Sequence, residues 1–210
     1  MKIAILRRRK LRPALLLLIA ALLLALVFGI RACARKQDRY VSFAYGVPIH
    51  TVLIPEGSAS RPGETRTIRY VVIHETGNTA RGSNAAAHSD YLLHNNTSTT
   101  SWHYTVDDHE IYHHIPDDEI AWHASDMRKT PGGNMNGIGV ELCVNEDGDF
   151  EKTFDNAARL TAHLLSEYDL SLDAIRQHAD FTQKNCPERI RNEGRMEEFR
   201  ALVARYLAEQ

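Results

Sequence analysis

Cysteine is scarce in this chain: Cys33, Cys143 and Cys186 are the three among 210 residues. An odd number this small excludes a disulfide framework. Local metal motifs are missing as well. His74-Glu75 is followed by Asn78 where an H-E-x-x-H motif needs its second His, and no paired C-x-x-C exists to form a zinc ribbon. There is no internal repeat and no low-complexity tract. With 43% hydrophobic and 25% charged residues, the composition excludes a disordered chain, a collagen and a multi-span membrane protein. Positive charge is lacking over most of the length. The net charge of -2 divides into +9 over residues 1–40 (ten Lys/Arg, one Asp) and -11 over residues 41–210 (fifteen Lys/Arg, twenty-six Asp/Glu). An acidic body lacks the basic face that neutralises phosphates, so nucleic acid is not an expected partner.

What is present begins with the N-terminus. Arg7, Arg8, Arg9, Lys10 and Arg12 precede an uncharged run from Pro13 to Ile30, rich in Leu and Ala. A run apolar on every face at a chain end reads as an export signal. Ala32-Cys33-Ala34 has the small-x-small form of a cleavage site, but Arg31 stands before it and the run exceeds a usual signal-peptide core. The balance favours an uncleaved transmembrane anchor over residues 1–34, near the lower length limit for a span, with its basic end cytoplasmic. The expected location is therefore the cell membrane, single-pass, with the body on the extracytoplasmic face, or secretion if the segment is cleaved. Residues 35–65 read as a tether with a short extended piece at Val47–Ile54, and residues 66–210 as one domain.

Within the body, Ile68–Ile73 is a β-branched run without alternation, as in a strand covered on both faces. Ser83 could cap a helix reaching His94, and Trp102–Val106 and Glu110–Ile115 read as strands joined at Asp107-Asp108-His109. In Gly137–Val144 the residues Ile138, Val140, Leu142 and Val144 share one face, leaving Gly139, Glu141 and Cys143 on the other. Helical spacing follows from Asp155 to about Tyr168 and from Met196 to Ala208, with a short strand near Ile175 between them. Strands alternating with helices predict an α/β fold: a single domain with a central mixed sheet flanked by helices.

Eleven histidines are the other excess. His74 ends a strand, and His178 lies close to Cys186 in one loop. Two imidazoles and a thiolate with an open fourth position would make a sensible catalytic zinc site. By spacing alone such residues are more often hydrogen-bonded core or surface groups than ligands, and a carboxylate such as Glu141 is usually solvated.

Six ordered blocks carry a resemblance. They are Val71-Val72-Ile73-His74; Ser101-Trp102-His103-Tyr104-Thr105-Val106-Asp107-Asp108; Ala121-Trp122-His123; Asn136-Gly137-Ile138-Gly139-Val140-Glu141-Leu142-Cys143; Asp147 to Lys152; and His178 through Lys184-Asn185-Cys186-Pro187. Together they resemble the zinc-dependent N-acetylmuramoyl-L-alanine amidases, the amidase-2 family related to peptidoglycan recognition proteins, and within it the phage and bacillus-type lysins. The resemblance implies a central mixed sheet flanked by helices and a Zn2+ ion held by His74, His178 and Cys186. It implies Glu141 as catalytic acid–base and Lys184 as its catalytic partner. Trp102 stands where some relatives place a catalytic Tyr, so that role passes to Glu141. Trp102 and His123 are candidate substrate contacts, with orientation of a ligand a second role open to His123. Glu75 departs from the His or aromatic residue common at that position. The implied reaction is hydrolysis of the amide between the lactyl group of N-acetylmuramic acid and L-alanine of the stem peptide. Expected partners are peptidoglycan and, through the N-terminal helix, the membrane, with a monomer assumed. The alternative from another class is a non-catalytic peptidoglycan-binding module of the same superfamily.

Overall fold

The computed structural model describes residues 41–94 and 97–209. Seven strands build one mixed sheet: β1 (Val41–Ala44), β2 (Val47–Thr51), β3 (Tyr70–Glu75), β4 (Tyr104–Val106), β5 (Ile111–His113), β6 (Gly137–Leu142) and β7 (Ile175–Gln177). Their spatial order is β1-β2-β5-β4-β6-β3-β7. The pairs β1–β2 and β4–β5 are antiparallel, whereas β4, β6, β3 and β7 run parallel. The helices are α1 (Ala85–His94), α2 (Gly133–Asn136), α3 (Phe150–Glu167), α4 (Glu188–Asn192) and α5 (Met196–Ala208). The expected single α/β domain with helices flanking a mixed sheet is what the described residues form.

The two-residue period of β6 gives the sheet two unlike faces. Ile138, Val140 and Leu142 point with Val71 and Ile73 of β3 into the main core, against Phe154, Leu160 and Leu164 of α3 and Phe199 and Val203 of α5. Each fully buried side chain of this size contributes about 1.5–3 kcal/mol. α3 begins at Phe150, earlier than the periodicity from Asp155 indicates, because Asp149 caps it by accepting from the Lys152 N–H at 3.3 Å. The opposite face carries His74, Gly139 and Glu141. It is covered by α1 and a smaller apolar cluster of Ile54, Leu92, Trp102, Ile115 and Ala121.

Residues 41–65 are not a tether. β1 and β2 form one edge of the sheet, β2 pairing in parallel with β5 from Ile49↔Ile111 to Thr51↔His113. The following loop is tied down by a buried ion pair. Arg61 donates to Glu119 through Nε at 2.7 Å and Nη2 at 2.6 Å, and through Nη1 to the Ile54 carbonyl at 2.9 Å. Bidentate geometry satisfies both charges where a sequence pattern shows only loop composition. Glu119→Ala should therefore cost about 3 kcal/mol of stability in chemical denaturation, because it leaves Arg61 buried without a counter-charge. A loss below about 1 kcal/mol, the range of exposed pairs, would make the pair incidental.

The expected transmembrane segment lies outside the described residues. Among those described, no helix is long and apolar enough to cross a membrane.

Candidate active site

Sheet register assembles the site. In the parallel pairing of β3 with β6, His74 lies opposite Glu141, so both side chains leave the same face. Ile73 pairs with Gln177 of β7, which sets His178 immediately past the end of the neighbouring strand. All three residues stand at the carboxyl ends of parallel strands, the edge where open α/β sheets form their clefts. The last member, Cys186, arrives in the loop after β7, held by Ala179 N–H donating to the Cys186 carbonyl at 3.1 Å.

His74, His178 and Cys186 are buried and form a group that could hold a metal, with ligand atoms all within 4.8 Å of one another. His74 Nδ1 lies 3.1 Å from His178 Nδ1 and 3.8 Å from Cys186 Sγ. Tetrahedral zinc spaces two nitrogens about 3.4 Å apart, and a nitrogen and a sulfur about 3.6 Å apart, so the two separations from His74 fit. The electrostatics fit as well. Burial holds His74 well below the usual imidazole range, helped by His123, His178 and Lys184. Burial likewise takes His178 down to about 4 and pushes the Cys186 thiol up to about 12. Neutral imidazoles offer lone pairs, and a buried thiol ionises readily only beside a cation. Cys143 and Cys186 are both free, so neither is spent on a disulfide.

Glu141 is the carboxylate of this face. Its Oε1 is 3.9 Å from His74 Nδ1, and its buried Oε2 has no hydrogen-bond partner among the described residues. Burial raises its carboxyl to about 7, with Lys184 opposing and Glu75 adding to the shift. Glu141, exposed Lys184 and Trp102 line one cavity of about 360 Å³, together with Thr76, His88 and Tyr91. Trp102 is buried in its lining, with Nε1 donating to Thr105 Oγ1 at 2.7 Å and the half-exposed Tyr91 ring stacked on it at 6.4 Å. Lys184 also borders an adjoining cavity beside Cys186 and Arg189. His123 is placed differently from a surface contact. It is buried, with Nδ1 2.9 Å from His74 Nε2 and Nε2 donating to the Gly137 carbonyl at 3.0 Å.

Two supporting residues escape sequence reasoning. Glu75 accepts from the N–H groups of Arg189 and Ile190 at 2.8 and 2.9 Å. It thus caps α4 from outside the helix and ties the Cys186 loop to the strand bearing His74. Nothing local signals this, since 114 positions separate Glu75 from Arg189. Asn134 Oδ1 accepts from the backbone N–H of His123 and Ala124 at 2.8 and 2.7 Å, fixing the segment behind the site.

Comparison with known proteins identifies the family. Residues 64–189 match the amidase-2 family model, described as N-acetylmuramoyl-L-alanine amidase. N-acetylmuramoyl-L-alanine amidase XlyA of Bacillus subtilis is 46% identical over 137 residues, covering 65% of this chain and 45% of the relative. N-acetylmuramoyl-L-alanine amidase CwlH of the same organism is 42% identical over 144 residues, covering 69% and 57%. The chain thus spans about half the length of the curated relatives it matches. The solved catalytic domain of XlyA superposes with a TM-score of 0.70 at 43% identity, covering 75% of this chain and 99% of that domain. The order of the strands, the register that brings His74 to Glu141 and these matches converge: the chain belongs to the amidase-2 family of N-acetylmuramoyl-L-alanine amidases.

Proposed function

We propose that this chain hydrolyses the amide joining the lactyl group of N-acetylmuramic acid to L-alanine of the peptidoglycan stem, with Zn2+ as its cofactor. The observation that carries the reading is the convergence of His74 Nδ1, His178 Nδ1 and Cys186 Sγ beside Glu141, which lines a cavity and whose buried Oε2 has no hydrogen-bond partner among the described residues. The amidase names of the relatives support the bond assignment.

His74, His178 and Cys186 would hold the zinc, which supplies Lewis acidity that acidifies water to a pKa of about 7 and polarises the amide carbonyl. Glu141 takes the proton from the attacking water. Its carboxyl, raised to about 7 in the metal-free chain by burial, then returns that proton to the departing alanine nitrogen. Lys184, across the same cavity, supplies an ammonium to the negative charge developing on the carbonyl oxygen. Trp102 has no acidic proton to give. It forms an apolar wall, with Tyr91 over it, that shapes the cleft.

The purified chain, supplied with zinc and peptidoglycan, should release stem peptides whose L-alanine carries a free amine, detected by mass spectrometry. New reducing ends would assign a glycosidic bond instead. Cleavage within the stem would make it a zinc peptidase, and intact wall that retains the protein would make it a binding module.

A further inference from the structure

Building on the zinc reading above, we propose that His123 is a positioning residue that fixes which nitrogen of His74 faces the metal. Hydrogen-bond direction carries this. The Gly137 carbonyl can only accept, so His123 Nε2, 3.0 Å away, must bear its proton. In a neutral ring Nδ1 is then a bare lone pair. The atom facing it at 2.9 Å, His74 Nε2, must therefore be the N–H. That leaves His74 Nδ1 unprotonated, and Nδ1 is the atom turned toward His178 and Cys186. A backbone carbonyl thus dictates, through one imidazole, the lone pair of another.

Two further features exist to hold this relay. Gly139 stands directly against the His123 ring: a Cβ there would lie 2.7 Å from Cγ and 2.9 Å from Nδ1, closer than real atoms approach. The glycine of the Ile138-Gly139-Val140-Glu141 segment is therefore room for an imidazole lying flat on β6. Asn134 clamps the His123 backbone from the other side. A carboxylate could orient His74 equally well, as outer-shell partners of metal-bound His often do, but it would add a charge to a buried site. An imidazole ended by a carbonyl transmits the same direction with no net charge.

The test uses the full chain and reads zinc affinity and ring tautomer, not turnover. With metal removed, ¹⁵N NMR should find His74 as the Nε2–H tautomer. Competition with a chromophoric chelator should show His123→Ala binding zinc ~10–100-fold more weakly, the usual cost of losing such a partner. His123→Asn, whose Oδ1 takes the place of Nδ1, should recover most of that loss, and Gly139→Ala should weaken binding in the same direction as His123→Ala. A His74 proton on Nδ1 would overturn the proposal, and so would an Asn variant no better than Ala. The wild-type tautomer needs no variant to fold, which keeps the test decisive if one does not. Should the tautomer and affinities come out as stated while no stem peptide is released, the relay stands and the amidase reading falls. Stem-peptide release with the opposite tautomer means the reverse.

Discussion

Glu141→Gln should lower stem-peptide release by about 10²–10⁴-fold and leave zinc content unchanged. Glutamine keeps the shape and burial of the side chain but can neither take a proton from water nor pass one to an amine. The Glu141 carboxyl is free to do both. Oε2 is buried without a partner among the described residues, and burial holds the carboxyl's affinity for protons near neutrality, where accepting and donating are both accessible. The position comes from β6 itself, whose register sets Glu141 opposite His74, so the substitution should not disturb the fold. Rates are to be compared at equal zinc occupancy. A Gln variant retaining near-full activity would remove Glu141 from the proton transfer.

The second large effect is expected from Cys186→Ala. Losing the thiolate leaves two imidazoles, and zinc should be lost on dialysis, with activity falling by more than the ~100-fold typical of an outer-shell change. Cys143→Ala is the matched control. Cys143 is also a free buried cysteine, but its Sγ neighbours His88 Nδ1 at 3.9 Å and takes no part in the His74, His178 and Cys186 group. It should keep one zinc per chain. Unchanged zinc in Cys186→Ala, measured by metal analysis, would reject the thiolate as a ligand.

The alternation of Ile138, Val140 and Leu142 against Gly139 and Glu141 was legible because a strand has a period of two and one face must be buried. The helical spacing of Phe199, Val203 and Tyr206 located α5 for a similar reason. Ordered motif blocks point to His74, Glu141, His178, Lys184 and Cys186; strand register places His74, Glu141 and His178 at one edge of the sheet, and the loop after β7 supplies Lys184 and Cys186. What pattern could not show was tertiary. Pattern shows β2 only as a short extended piece at Val47–Ile54 within a tether and misses β1, because two short strands acquire meaning only from β5, some sixty residues beyond β2. Glu75 looked like a departure from its family, yet its carboxylate caps a helix over a hundred residues later. His123 sat in a visible block with two roles open to it. Its hydrogen bonds to His74 and Gly137 join positions far apart in the chain, which no local pattern shows.

Dependence of amide cleavage on a zinc ion held by His74, His178 and Cys186 is open to measurement. It is tested most directly by identifying soluble products from peptidoglycan treated with metal-stripped chain, and with the same chain after one equivalent of zinc. No release is expected from the stripped protein, and release of stem peptides with a free L-alanine amine should return once zinc is restored. Equal release of those peptides by the metal-free chain would contradict it.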